Sequence, residues 1–137
     1  MLAVTNAGAL VPSETAYGHI TTTDDRTEIR LVGEDTETIV RHYFQDIPVM
    51  IQVARCESTF RHELEDGSIL QGHVDNDDTG VMQINKRYHE ARSIELGLDI
   101  HDIYDNMAYA RYLYEKQGTQ PWNASRPCWG QTLAMNI

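Results

Sequence analysis

One carboxylate stands where its helix should be apolar. From Pro48 the chain reads as a helix whose apolar stripe runs Met50, Val53, Ala54 and then Glu57, at helical offsets. A carboxyl on such a stripe loses hydration in its ionised form, so its pKa rises. A carboxyl that keeps its proton near neutral pH can serve as a general acid. The competing reading is a glutamate at a frayed helix end, reaching water or pairing with Arg55 or Arg61.

Other residue groups carry less chemistry. The run Asp75-Asn76-Asp77-Asp78-Thr79-Gly80 resembles the start of a calcium-binding loop, but position 12 would be Lys86 rather than a bidentate glutamate. It reads instead as an acidic surface turn. His62-Glu63 and His89-Glu90 each lack the second histidine of a zinc-protease motif, and the six histidines show no ligand spacing. No metal or other cofactor is expected. No nucleophile elbow and no Gly-rich phosphate loop occurs. Asn123-Ala124-Ser125 matches a glycosylation sequon, which matters only in a eukaryotic secretory host. Cys56 and Cys128 form no C-x-x-C, so they are either two reduced thiols or one disulfide. A disulfide would close a long loop, worth roughly 4 kcal/mol in the chain-entropy model, and would imply an oxidising compartment.

The elements that must position these groups follow from the rest of the pattern. The 137 residues suit one domain, and 41% hydrophobic with 23% charged residues is ordinary globular composition. The net charge of −10 argues against nucleic acid and against anionic lipid as partners. No apolar run approaches a bilayer span, so no membrane insertion is expected. Residues 1–35 read as a leader, partly extended or flexible, with a short strand around 27–32. Its first eleven residues are mildly apolar but carry no basic residue, so a complete export signal is missing. Helices are expected over 36–44, from Asp46 as N-cap to about Glu57, over 86–96, and from Asp102 or Asp105 to Gln117. Ile84, Tyr88 and Ala91 would fall on one face of the third. Met107, Ala110, Leu113 and Tyr114 would form the core stripe of the fourth. Gly97 and Gly118 end these helices. Between them, 65–68 and 75–80 are turns and 69–74 a short strand. The aromatic segment 122–129 reads as a short helix or turn. The fold class is thus α+β, mainly α, with a small irregular or β-hairpin region after the helix that carries Glu57.

Taken together, three segments resemble a known family. Cys56-Glu57-Ser58-x-Phe60 is followed, after a Gly- and Asp-rich loop, by Gly80-Val81-Met82-Gln83-Ile84-Asn85, and then by Asn106-Met107-Ala108-Tyr109-Ala110-Arg111-Tyr112-Leu113. This order and spacing resemble the lytic transglycosylase (SLT-type) catalytic domain of the lysozyme-like superfamily, over roughly residues 46–130. The cysteine directly before the glutamate, and Gln117-Gly118 leading to a terminal Trp and Cys, also resemble resuscitation-promoting factors. The chain departs from the pattern where Pro121-Trp122-Asn123-Ala124-Ser125 replaces the usual Ala-Tyr-Asn-Ala-Gly, and where Asp78-Thr79 precede Gly80. The family tyrosine that contacts the acid has no clear counterpart.

The resemblance implies a lysozyme-like fold over residues 36–137 and cleavage of the MurNAc–GlcNAc β-1,4 bond of peptidoglycan. Glu57 would be the single acid/base. The substrate's own acetamido group would attack and a 1,6-anhydro-muramyl end would form. Ser58, Met82 and Gln83 would line or orient the site, with Tyr109, Tyr112 and Trp122 as stacking surfaces for sugar rings. Their plainer role is core packing. The resemblance further implies a Cys56–Cys128 disulfide, an extracytoplasmic home, peptidoglycan glycan strands as partner, and action as a monomer. Two alternatives stay open. One is a lysozyme-type hydrolase in which Asp75, Asp77 or Asp78 supplies a second carboxylate. The other is a non-catalytic wall-binding module.

Overall fold

A computed structural model describes the backbone of residues 20–22, 29–31 and 35–135, and side chains within 35–131. The chain divides into two compact units, Met1–Asp35 and Thr36–Ile137. In the first, β1 (Ile20–Thr22) pairs antiparallel with β2 (Ile29–Leu31), with Thr21 opposite Arg30. The strand expected around 27–32 is therefore one half of a hairpin. The apolar stretch at residues 1–11 lies outside the described residues.

The second unit is mainly helical: α1 (Thr36–Tyr43), α2 (Pro48–Ser58), α3 (Lys86–Glu95), α4 (Ile103–Gln117), a 3₁₀ turn (Gln120–Ser125) and α5 (Arg126–Met135). Its one small antiparallel sheet pairs β3 (Asp78–Thr79) with β4 (Ile84–Asn85). The unit is α+β with helices dominant. The core is built from Val40 of α1, Phe44 just after it, Met50, Val53 and Ala54 of α2, and Met107, Tyr109, Ala110 and Leu113 of α4. Val81, Met82, Ile84, Trp122 and Trp129 close it.

Several local expectations need correcting. Asp46 does not cap α2: the cap position is Ile47, without a side-chain bond, and Pro48 opens the helix. Asp46 instead takes both Arg111 guanidinium nitrogens at 2.8 and 3.0 Å. Arg111 also donates to the Tyr43 carbonyl and lies over the Phe44 ring, so α4 holds the α1–α2 corner. Residues 69–74 form no continuous strand; single bridges join Glu63 to Ile69 and Gln71 to Thr79. In α3, Tyr88 is 71% exposed and Ala91 is exposed, while Ser93 is buried. That helix is polar nearly all round, so its stripe was too weak to orient it. Asp102 does cap α4, accepting from the Tyr104 and Asp105 amides.

The turn between β3 and β4 runs through the core, and side chains from three directions satisfy its backbone. The Val81 amide donates to His62 Nδ1 at 3.0 Å, so His62 carries its proton on Nε2 and donates it to the His101 carbonyl at 2.7 Å. Fully buried Asn106 accepts from the Met82 amide and donates to the Thr79 and Ile100 carbonyls. Trp122 Nε1 donates to the Met82 carbonyl at 2.9 Å. Gly80 sits among these groups at φ 75°. A Cβ there would lie 2.6 Å from Asn106 Nδ2 and 2.7 Å from the His62 ring.

Gly80→Ala combines a left-handed backbone with this clash. It should destabilise the protein by at least about 2 kcal/mol, read as a lowered denaturation midpoint. Burial also holds the His62 imidazole below its ordinary value of 6.5. The unfolded chain takes up a proton there before the folded one, so this residue's contribution to stability is lost as pH falls below about 6.5. A titration of the His62 ring by NMR should therefore find its midpoint below that of an unfolded-state control.

Candidate active site

Glu57 occupies the last turn of α2, where the sequence places it on the apolar stripe. Its neighbour Cys56 is bonded to Cys128 of α5, 72 residues on. That covalent tie brings the residues just before Cys128 against the end of α2. Ser125 Oγ lies 2.5 Å from Glu57 Oε1. Burial raises the Glu57 pKa above its ordinary value of 4.5, the Ser125 hydrogen bond works in the opposite sense, and the charge of Asp78 raises it further.

The Ser125 hydroxyl fits both protonation states of the acid. It also lies 3.0 Å from the Trp122 carbonyl and 3.1 Å from Trp129 Nε1. When Glu57 is ionised, Ser125 donates to it and accepts from the indole. When Glu57 is protonated, the carboxyl donates to Oγ and Ser125 turns its hydrogen to the Trp122 carbonyl. No heavy atom has to move between the two arrangements. This is the behaviour required of a group that first gives a proton and then takes one back.

Strained backbone gathers at the same place. Thr59 and Phe60, directly after α2, have φ of 51° and 58°, and Gln83 has φ of 51°. Each costs of order 1 kcal/mol or more for a residue with a side chain. Thr59 keeps its amide on the Arg55 carbonyl. Phe60 turns back onto the core, with Arg41 stacked 5.4 Å from its ring centroid. Arg61 donates through Nε to the Ser58 carbonyl at 3.0 Å. The helix thus stops abruptly one residue after Glu57.

The remaining candidates divide by burial. Ser58 is 1% exposed and its hydroxyl donates to the Ala54 carbonyl, so it finishes the helix. Met82 is fully buried and contributes backbone to the turn. Gln83 is half-buried, its Nε2 donating to the Gly80 carbonyl at 2.9 Å. The Tyr109 ring is 1% exposed, with its hydroxyl 3.0 Å from His89 Nδ1. Trp122 is 3% exposed. Neither ring offers a free face. Half-buried Tyr112 stacks against Tyr109 at 5.4 Å, and its hydroxyl accepts from Arg92.

The acidic turn is likewise sorted. Arg87 pairs with Asp77 at 2.7 Å and reaches Asp75 at 3.9 Å. Asp78 instead accepts from Asn85 Nδ2 at 2.9 Å. Burial raises its pKa, the Asn85 bond opposes this, and the charges of Asp75 and Asp77 add to the rise. Of the three aspartates, Asp78 is the one whose charge reaches Glu57. A cavity of about 660 Å³ beside the loop after α2 does not include Glu57 in its lining. Among the described residues no group of three or more His, Cys, Asp or Glu could hold a metal ion, and no helix is long and apolar enough to cross a membrane.

Ser125 was hidden in the sequence: its partner is 68 residues away, and the triplet around it reads as a sequon. The departure from Ala-Tyr-Asn-Ala-Gly marked this segment as different without naming the serine. Compared with family models, curated proteins and solved structures, the chain finds no match.

Two outcomes follow for Glu57. A carboxyl whose pKa is raised by folding loses stability as pH climbs from 4.5 through the folded pKa. Glu57→Gln should therefore melt higher than the parent at pH 7, with the gap closing as pH is lowered towards 4.5. Ser125→Ala removes the one bond that favours the ionised form, so the Glu57 midpoint, followed by carboxyl NMR, should move up.

Proposed function

We propose that the protein is a peptidoglycan lytic transglycosylase with a lysozyme-like fold, cleaving the MurNAc–GlcNAc β-1,4 bond and leaving 1,6-anhydro-muramyl ends. The observation that carries this reading is the half-buried Glu57, raised in pKa and seated on a hydroxyl able to accept or donate. The protonated Glu57 gives its proton to the glycosidic oxygen as the bond breaks. The acetamido group of the substrate covers the developing positive charge at the sugar carbon. Glu57, now ionised and held by Ser125, takes the proton from the sugar hydroxyl that closes the anhydro ring. No water enters the product. Ser125 contacts the acid in a chain where the family tyrosine that would do so has no clear counterpart. The Cys56–Cys128 disulfide supports an extracytoplasmic setting.

A second reading rests on Asp78. Its electrostatic reach to Glu57 makes it the partner carboxylate of a hydrolase, were the reaction to use water.

Digestion of purified peptidoglycan with mass analysis of the products separates the two. A transglycosylase leaves products lighter by one water than those of a hydrolase. Glu57→Gln should remain folded and lose at least about a hundredfold in rate. Asp78→Asn should keep most of the activity. Hydrated, reducing-end products together with an Asp78→Asn loss as severe as that of Glu57→Gln would establish the hydrolase instead. Near-normal turnover by folded Glu57→Gln would overturn both.

A further inference from the structure

A half-open cavity of about 660 Å³ in the second unit lies between the loop after α2 and the start of α3. That size falls within the range of about 300–1,000 Å³ usual for small-molecule sites. Its lining is opposite in character to the rest of the chain. The protein carries a charge of −10, yet no Asp or Glu lines this cavity, while Arg61 and Lys86 do, together with His73 and His101. The two permanent cations have no carboxylate partner: Arg61 uses its Nε on the Ser58 carbonyl, and Lys86 forms no ion pair among the described residues. Nearby carboxylates are engaged outside the lining, Asp66 by Ser68 and Asp99 by His101. Leu64 and Leu70, both half-buried, supply an apolar wall.

Two unpaired cations beside an aliphatic wall, in a cavity of this size, fit an organic acid rather than a bare anion. A guanidinium takes a carboxylate through paired N–H donors, and an ammonium takes a second one as a point charge. We infer that this cavity is a binding site for a small organic acid carrying two carboxylates, for which a short acidic peptide serves as probe, separate from the Glu57 centre. Gly72, which lines the cavity, packs so closely on Asp78 that a Cβ of its own would lie 2.9 Å from the Asp78 Cβ. The inference does not depend on glycan cleavage.

The test is an NMR titration of the isotope-labelled full chain with N-acetyl-Ala-Glu, with its doubly amidated counterpart N-acetyl-Ala-Gln-amide, and with inorganic phosphate. The acid should shift the amides of residues 61–73 and 86 saturably in the millimolar range or below. The amidated peptide and phosphate should each bind at least tenfold more weakly. Lys86→Gln should weaken the acid about tenfold, equivalent to roughly 1.4 kcal/mol, and Lys86→Arg should restore it. Among the described residues the Lys86 side chain makes no hydrogen bond or ion pair, so these variants probe charge without disturbing the helix end that Arg61 holds. Absence of saturable shifts, equal binding of the amidated peptide or of phosphate, or indifference to Lys86→Gln would each overturn the inference.

Discussion

Val81 and Met82 cross the core between β3 and β4 with no strand to take their amides, and everything around the acid depends on how that is resolved. Thr79, Val81 and Met82 are at most 2% exposed. An unpaired amide or carbonyl at such depth costs about 1–3 kcal/mol. Three side chains remove the penalty: His62 from the loop after α2, Asn106 from α4, and Trp122 from the 3₁₀ turn. Each approaches from a different part of the chain. Satisfying this turn therefore fixes the positions of all three segments at once. Gly80 is what allows the His62 ring and the Asn106 amide to come so near.

The same turn adds to the electrostatics of Glu57, after burial and the Ser125 bond. Asp78, just before it, sends its field to the acid, while Asp75 and Asp77 are drawn to Arg87. Trp122 is held on the Met82 carbonyl, and its own carbonyl faces Ser125, the partner of Glu57. Polar groups that complete the core thus run continuously into polar groups that touch the acid.

Much of this was legible in the sequence, by unequal routes. The helix stripe alone marked Glu57, because a carboxylate at an apolar offset is locally anomalous. The helix containing Asn106 was visible, but only as part of a motif; nothing in its spacing reveals that its amide bonds a turn 24 residues earlier. The cysteine pairing rested on resemblance, since two thiols are compatible with either redox state. Tyr88 was misplaced because a polar helix has no dominant face. Tyr109 and Trp122 showed as aromatics, and only three-dimensional packing reveals that their rings are enclosed. Ser125 was out of reach altogether, since a hydrogen bond over 68 residues leaves no periodic trace.

The disulfide and the Ser125 contact have a consequence for how the molecule is made. A ribosome delivers the chain from its N-terminus, so α2 and Glu57 emerge long before residues 122–129. Until that later segment docks, Glu57 lacks the Ser125 hydroxyl and the cover that residues 122–129 provide. Its proton-holding character is conferred by a part of the chain that arrives later and is then fixed by oxidation at Cys56. A nascent chain that has not yet delivered residues 122–129 therefore carries the acid without its hydrogen-bond partner, and the finished fold supplies both.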